Sequence, residues 1–171
     1  QKIDSKRGAS SHAHNPFMAL VDKHTTETAG DAYGFSFVYS GSFEMGVERD
    51  PLGSARALEL LLNVLGWRTS MVVDGEVPVR LRFLPGLVLH RPEEWVMPEN
   101  AAAIAVDVSS PDRLGKAEAL YNAADRRWVI DHHGTNLHFG QINWVEGDVS
   151  ATGILINRLY RALEVPLSRE A

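Results

Sequence analysis

Arg126 to Gly134 reads RRWVIDHHG. Trp128, Val129 and Ile130 are aromatic or β-branched, and an apolar run of this kind predicts a buried strand. The run ends in Asp131, His132 and His133. Titratable groups at the end of a buried strand are costly unless they are paired or bound to a metal. Ligands of open α/β sheets sit just beyond the carboxyl ends of the strands. The stretch therefore predicts a strand that delivers an acid and two imidazoles to the working edge of such a sheet. The plain alternative is a surface loop that holds two histidines.

The flanking sequence supplies the rest of that sheet. Ala101–Val106 (AAAIAV) predicts a second buried strand, ending at Asp107, and Arg68–Val73 predicts a third. Leu87–His90 and Ile142–Val145 are short strand candidates. Between them lie helical patterns. Asp50-Pro51-Leu52-Gly53-Ser54 opens a helix that carries Ala57, Leu58, Leu61, Leu62 and Leu65 at helical spacing and stops at Gly66. Val77–Phe83 reads as a short helix. Ser109, Ser110 and Pro111 start another, with a further helical piece at Lys116–Ala124. Ser150-Ala151-Thr152 is expected to cap a helix through Leu163, with Ile156, Leu159, Tyr160 and Leu163 inward and Arg158 and Arg161 in water. Alternation of strands and helices predicts an α/β fold with a mostly parallel sheet flanked by helices and right-handed crossovers.

Composition narrows the chemistry. The chain has 171 residues, 44% of them apolar, and a net charge of −5. That excludes a global basic footprint for nucleic acid. No apolar run reaches the length of a membrane span. Gln1–Gly8 is polar and charged, so no secretory leader is expected. Cysteine is absent, and there are seven histidines. Any metal site would use nitrogen and oxygen ligands, and a cytoplasmic setting is expected.

The first fifty residues have a different character. Tyr33–Tyr39 alternates aromatic with small residues, Ser40-Gly41-Ser42 signals a turn, and Phe43–Glu48 alternates again. This predicts a β-hairpin over Tyr33–Glu48. His12 and His14 sit two apart, as on one face of a strand. They read as a metal pair or, with no local acid beside them, as a polar loop or interface. SKRGASSHAHNPFMAL and DAYGFSFVYSGSFEMGVE resemble part of the N-terminal β-sandwich of melibiase-type α-galactosidases. The catalytic carboxylates of that family lie in a downstream barrel, so no glycosidase residue is carried over. An isolated hairpin is marginal. The segment is therefore expected to pack on the rest of the chain, with Phe43–Glu48 supplying a strand of the parallel sheet just before Asp50, or on a second copy, as in a homo-oligomer.

Residues 50–171 resemble a second family. DPLGSARALELLLNVLGW, VVDGEVPVRLRFLPG, AVDVSSPDRLG, VIDHHGTNLHFGQINWVEGDVSATG and LINRLYRALEVPL occur in the order found in the N-terminal domain of DHH phosphoesterases. The wording is nearest the RecJ-like nano-RNase and adenosine-phosphate phosphatase branch. The resemblance implies two domains, a β-segment at 1–49 and a truncated DHH-like α/β domain at 50–171. It also implies Mn²⁺, or Mg²⁺ in its place, since two divalent ions about 4 Å apart clamp the attacking and leaving oxygens in such hydrolysis. Asp107 would bridge, His132 and Asp50 would be metal ligands, Asp131 would orient an imidazole, and His133 would face the phosphate. Asp131 and His133 are thus the catalytic candidates. The substrate would be a short oligonucleotide or nucleoside phosphate.

The departures from the family pattern bear on activity. The family's first motif reads His-x-Asn-Pro-Asp-x-Asp-x-x-Gly-Ser, and only Asp50, Gly53 and Ser54 of its tail are present. Gly46, Val47, Glu48 and Arg49 stand where its His and preceding acid belong. His14-Asn15-Pro16 echoes the motif's opening, but Phe17 follows where an acid is needed. A fourth acidic motif and a substrate-binding domain are expected beyond the chain's last residue. The sequence thus leads to a phosphoesterase with metal weakly bound or absent and impaired turnover. The alternatives are a non-catalytic, engineered or recombined chimeric fold and, last, a carbohydrate-associated β-module.

Overall fold

The computed structural model describes residues 34–40 (as a backbone path), 51–75 and 86–169. In chain order the elements are β1 (Gly34–Ser40), α1 (Pro51–Val64), β2 (Arg68–Asp74), β3 (Leu89–His90), a 3₁₀ turn at Pro92–Glu94, β4 (Ala102–Val106), a 3₁₀ segment at Pro111–Ala117, α2 (Glu118–Ala123), β5 (Arg126–Asp131), β6 (Ile142–Val145) and α3 (Thr152–Ala162). The six strands form one sheet in the order β3-β2-β1-β4-β5-β6. Every pairing in it is parallel. The expected α/β fold is the fold observed.

The strand order reverses direction at β1. From β1 the chain steps outward to β2 and β3, then returns to the other side of β1 and steps outward again through β4, β5 and β6. Right-handed connections then put α1 on one face and the 111–123 helical segment on the other. Helix α3 returns to the α1 face, where the Tyr160 hydroxyl donates to Ala57 O at 2.8 Å. Coverage on both faces explains the unbroken apolar runs. All five residues of β4 are buried, and so are Trp128 through Asp131 in β5. The core joins Leu58, Leu61 and Leu62 of α1, Ile104 and Ile130 of the sheet, and Leu155, Ile156 and Leu159 of α3.

The helix ends follow from their residues. Gly66 sits at φ +88°; its amide donates to Asn63 O and the Trp67 amide to Leu62 O, so α1 ends in the paired turn that glycine permits. Helix α3 ends in the same pair of bonds, Glu164 to Arg161 O and Val165 to Tyr160 O, with Glu164 at φ +55°. The start of α3 differs from expectation. Ala151 is the capping residue and no side chain caps it. The Thr152 hydroxyl bonds Asp107 instead.

The N-terminal segment does supply a strand to the sheet, but not the one expected. The sequence reading places Phe43–Glu48 there; the place between β2 and β4 belongs to Gly34–Ser40. All seven residues of β1 pair with β2, and Phe35–Val38 pair with β4 as well. With both edges occupied, β1 has none left along Phe35–Val38 for an antiparallel hairpin partner. Period-two alternation marks both stretches as strands, but it carries no information about which partner a strand takes. Phe43–Glu48, the expected helix at Val77–Phe83, His12, His14 and Asp50 lie outside the described residues. No helix among the described residues is long and apolar enough to cross a membrane.

Candidate metal centre

The carboxyl ends of β4 and β5 lie side by side next to the point where the strand order reverses, the place where open α/β sheets bind ligands. Beyond β4, Asp107 continues the ladder by donating its amide to Ile130 O at 2.8 Å, then turns at φ +61°. That left-handed conformation is uncommon for a residue with a Cβ, and aspartate is among those that tolerate it. Beyond β5, the chain delivers Asp131, His132 and His133.

Asp131 is fully buried, and its carboxylate accepts three hydrogen bonds. Oδ1 takes the His132 amide at 2.8 Å and His133 Nδ1 at 2.7 Å. Oδ2 takes Asn136 Nδ2 at 2.6 Å. Three donors make the buried charge tenable. The bond from His133 Nδ1 selects the tautomer that carries its lone pair on Nε2. Asp131 therefore acts by positioning, whereas the His133 side chain is 25% exposed.

His132 is held from the opposite side. Its Nδ1 lies 3.2 Å from Val149 O. A carbonyl only accepts, so Nδ1 bears the proton and the Nε2 lone pair is turned inward. Nε2 then lies 3.4 Å from Asp107 Oδ1, with both side chains about nine-tenths buried. Two electron-rich atoms confronting each other at this distance need a cation between them, either a proton on the imidazole or a metal ion. The pattern of an imidazole that ligates through one nitrogen and donates to a carbonyl through the other is usual for metal-bound histidine. Bond lengths of about 2.0–2.2 Å to nitrogen and oxygen also place adjacent ligands roughly 3.0–3.5 Å apart. Asp107, His132 and His133 each offer one ligand atom, all within 4.8 Å of one another. The donor set thus fits a divalent ion.

Of the five residues singled out from sequence, the structure brings together Asp107, Asp131, His132 and His133. Asp50 lies outside the described residues. Two further residues belong to the site. Asn136 is buried and makes three bonds: Nδ2 donates to Asp131 and to Val108 O, and Oδ1 accepts the His138 amide. Thr152, expected to cap α3, donates its hydroxyl to Asp107 Oδ1 at 2.6 Å. A single Asn in a loop or Thr at a helix start has commoner uses, so neither stands out in the sequence.

Comparison with known proteins divides the chain. The glycosyl hydrolase family 36 N-terminal domain matches residues 1–61, which include β1 and most of α1. A probable alpha-galactosidase C of Aspergillus terreus is 55% identical over 58 residues, 34% of this chain and 8% of that protein. Alpha-galactosidase AgaA of Geobacillus stearothermophilus is 57% identical over 56 residues, 33% of this chain and 8% of that protein. The chain thus spans less than a tenth of the length of these relatives. By structure, it is similar to an exopolyphosphatase-related protein from Bacteroides fragilis, with a TM-score of 0.66, 20% identity, and coverage of 89% of this chain and 46% of that one. That likeness is one of fold. The N-terminal region is therefore α-galactosidase-like in sequence, while the α/β architecture as a whole is shared with a protein of another kind.

Proposed function

We propose that the chain carries a metal-dependent phosphoester-hydrolysing scaffold of the DHH type, with low or no turnover, in a cytoplasmic setting. Asp107 and His132 hold the ion, Mn²⁺ or Mg²⁺, with Asp50 as a further ligand. His133 faces the phosphate of a short oligonucleotide or nucleoside phosphate. Asp131 fixes the His133 ring. The observation that carries this reading is the confrontation of His132 Nε2 and Asp107 Oδ1 at 3.4 Å, at the carboxyl edge of a parallel sheet. A bound divalent ion supplies charge stabilisation at phosphoryl oxygens. The protein's own part is to keep the imidazole lone pairs aimed by the Val149 carbonyl and the Asp131 carboxylate, and to present His133 at the surface of the cluster.

Low turnover follows from the first motif. A two-ion mechanism needs several protein ligands for each ion, and the His and first Asp of the DHH pattern are absent from the stretch where Gly46, Val47, Glu48 and Arg49 stand. Arg49 adds a positive charge in that part of the sequence. Mn²⁺ is expected to bind as one ion with a Kd no tighter than roughly the high-micromolar range. Calorimetric titration with Mn²⁺, of wild type and His132→Ala, tests the site. Hydrolysis of a generic phosphodiester by the same two proteins tests the chemistry. The expected result is one weak site, lost in His132→Ala, and no hydrolysis above background. Two tight sites, or turnover abolished by His132→Ala, refutes the impairment. No binding at all removes the metal-site reading.

In that last case a second reading stands, a non-catalytic chimeric fold. The observation that favours it is the match of residues 1–61 to the glycosyl hydrolase family 36 N-terminal domain, which ends inside α1 of a sheet-and-helix scaffold of different kind.

A further inference from the structure

We propose that Thr152 is a positioning residue for the Asp107 carboxylate, aiming Oδ1 at the His132 and His133 rings. This inference rests on the metal-site reading above. Thr152 is 1% exposed, and its hydroxyl donates to Asp107 Oδ1 at 2.6 Å across 45 residues of sequence. The oxygen it holds is the one that lies 3.4 Å from His132 Nε2 and 4.0 Å from His133 Nδ1.

Three features make the contact more than incidental packing. First, Thr152 opens α3, where a hydroxyl ordinarily serves exposed helix amides. Here α3 starts on Ala151 without a side-chain cap, and the hydroxyl is directed to Asp107 instead. Second, a β-branched side chain is restricted about χ1, and burial at the first residue of a helix narrows the directions in which its oxygen can point. Third, Asp107 needs holding. It follows the last residue of β4 at φ +61°, and the ladder bond from its amide to Ile130 O restrains only the backbone. Among the described residues, and apart from the histidine rings it faces, the Thr152 hydroxyl is the donor to this carboxylate. A hydroxyl donates one proton and a carboxylate only accepts, so the direction of the bond is settled. The bond occupies one lone pair of Oδ1 and leaves the other for a cation.

The test compares Thr152→Val, which keeps the shape and removes the hydroxyl, with Thr152→Ser, which keeps the hydroxyl. Mn²⁺ affinity is read by calorimetry on the full chain, and the unfolding midpoint of the metal-free protein is read alongside. Loss of a residue that orients a ligand commonly lowers metal affinity about 10–100-fold. Thr152→Val should fall in that range while Thr152→Ser stays within about threefold of wild type, by the same logic of a retained donor. A purely structural role would lower the unfolding midpoint in one or both variants and leave Mn²⁺ affinity where it was; that result overturns the proposal. Should Thr152→Val not fold, Thr152→Ala carries the same comparison. If wild type binds Mn²⁺ and the hydroxyl-free variant binds it equally well, the role of Thr152 alone is refuted. If wild type binds no Mn²⁺, the metal-site reading fails and this inference falls with it.

Discussion

Replacing Asn136 with alanine should destabilise the protein by about 3–5 kcal/mol, although the residue lies in a loop. The magnitude follows from its three bonds. The one to Asp131 Oδ2 involves a charged acceptor and is worth about 1.5–3 kcal/mol; those to Val108 O and from the His138 amide are worth about 0.5–1.5 kcal/mol each. These bonds combine to about 2.5–6 kcal/mol, and the low end is disfavoured because Asp131 is fully buried and, among the described residues, Asn136 is the donor to its Oδ2. A buried carboxylate oxygen without a donor carries its full desolvation penalty. Equilibrium urea unfolding at neutral pH of wild type, Asn136→Ala, Asp131→Asn and the double variant measures both the loss and its origin. If the Asn136–Asp131 bond dominates, the two single effects should fall short of additivity by about 1–3 kcal/mol in the cycle. A loss below about 1 kcal/mol for Asn136→Ala, or strict additivity, would refute the reasoning.

Three further outcomes are expected. Gly140→Ala should cost about 1–3 kcal/mol in the same unfolding assay, because an added Cβ would lie 2.8 Å from Ile142 O and 3.0 Å from Arg127 O, both backbone atoms with little room to move. Glu164→Gly should raise stability by about 0.5–1 kcal/mol, since it removes a side chain from φ +55° at the end of α3; a decrease would show that the Glu164 side chain does something beyond terminating the helix. Stability should fall in acid through Glu146. Burial pushes its carboxyl up, but the Trp144 indole N–H and the Arg158 guanidinium outweigh that and hold it below its ordinary value. A group depressed in the folded state contributes above its unfolded pKa, near 4.5, and loses that contribution as pH falls through the lower folded value. Unfolding midpoints of wild type and Glu146→Gln should therefore differ at neutral pH and converge at the acid end, and parallel curves would contradict this.

The elements that were legible in the sequence are those with one dominant physical signal. Ala102–Val106 and Trp128–Asp131 are buried on both faces, so their apolar runs are continuous and their ends, where Asp107 and His132 emerge, stand out by contrast. Gly66 marks the end of α1 because its φ of +88° suits glycine. Elements with competing signals were harder. Two alternating stretches before residue 50 look alike as strands, and which of them enters the sheet depends on partners far along the chain. The Thr152 hydroxyl has a local use at a helix start and a distant one at Asp107, and only the folded geometry decides between them. The end of α3 has no glycine; Glu164 adopts the left-handed turn because the same two backbone bonds that close α1 close α3. The site was therefore readable as Asp107 with the Asp131–His133 run, and unreadable in the neutral side chains that hold them.

The central place of β1 has a consequence for the order in which the fold can assemble. Its two neighbours begin at Arg68 and Ala102, so one of its edges stays bare until β2 exists and the other until β4 exists. During synthesis, at about 5–20 residues per second, those edges are exposed for seconds. An unpaired strand edge is a template for pairing with other chains. The greatest hazard of misassembly thus falls early, on Gly34–Ser40, before β4 can arrive. In the finished sheet the same strand is an interior one, with partners on both sides along Phe35–Val38.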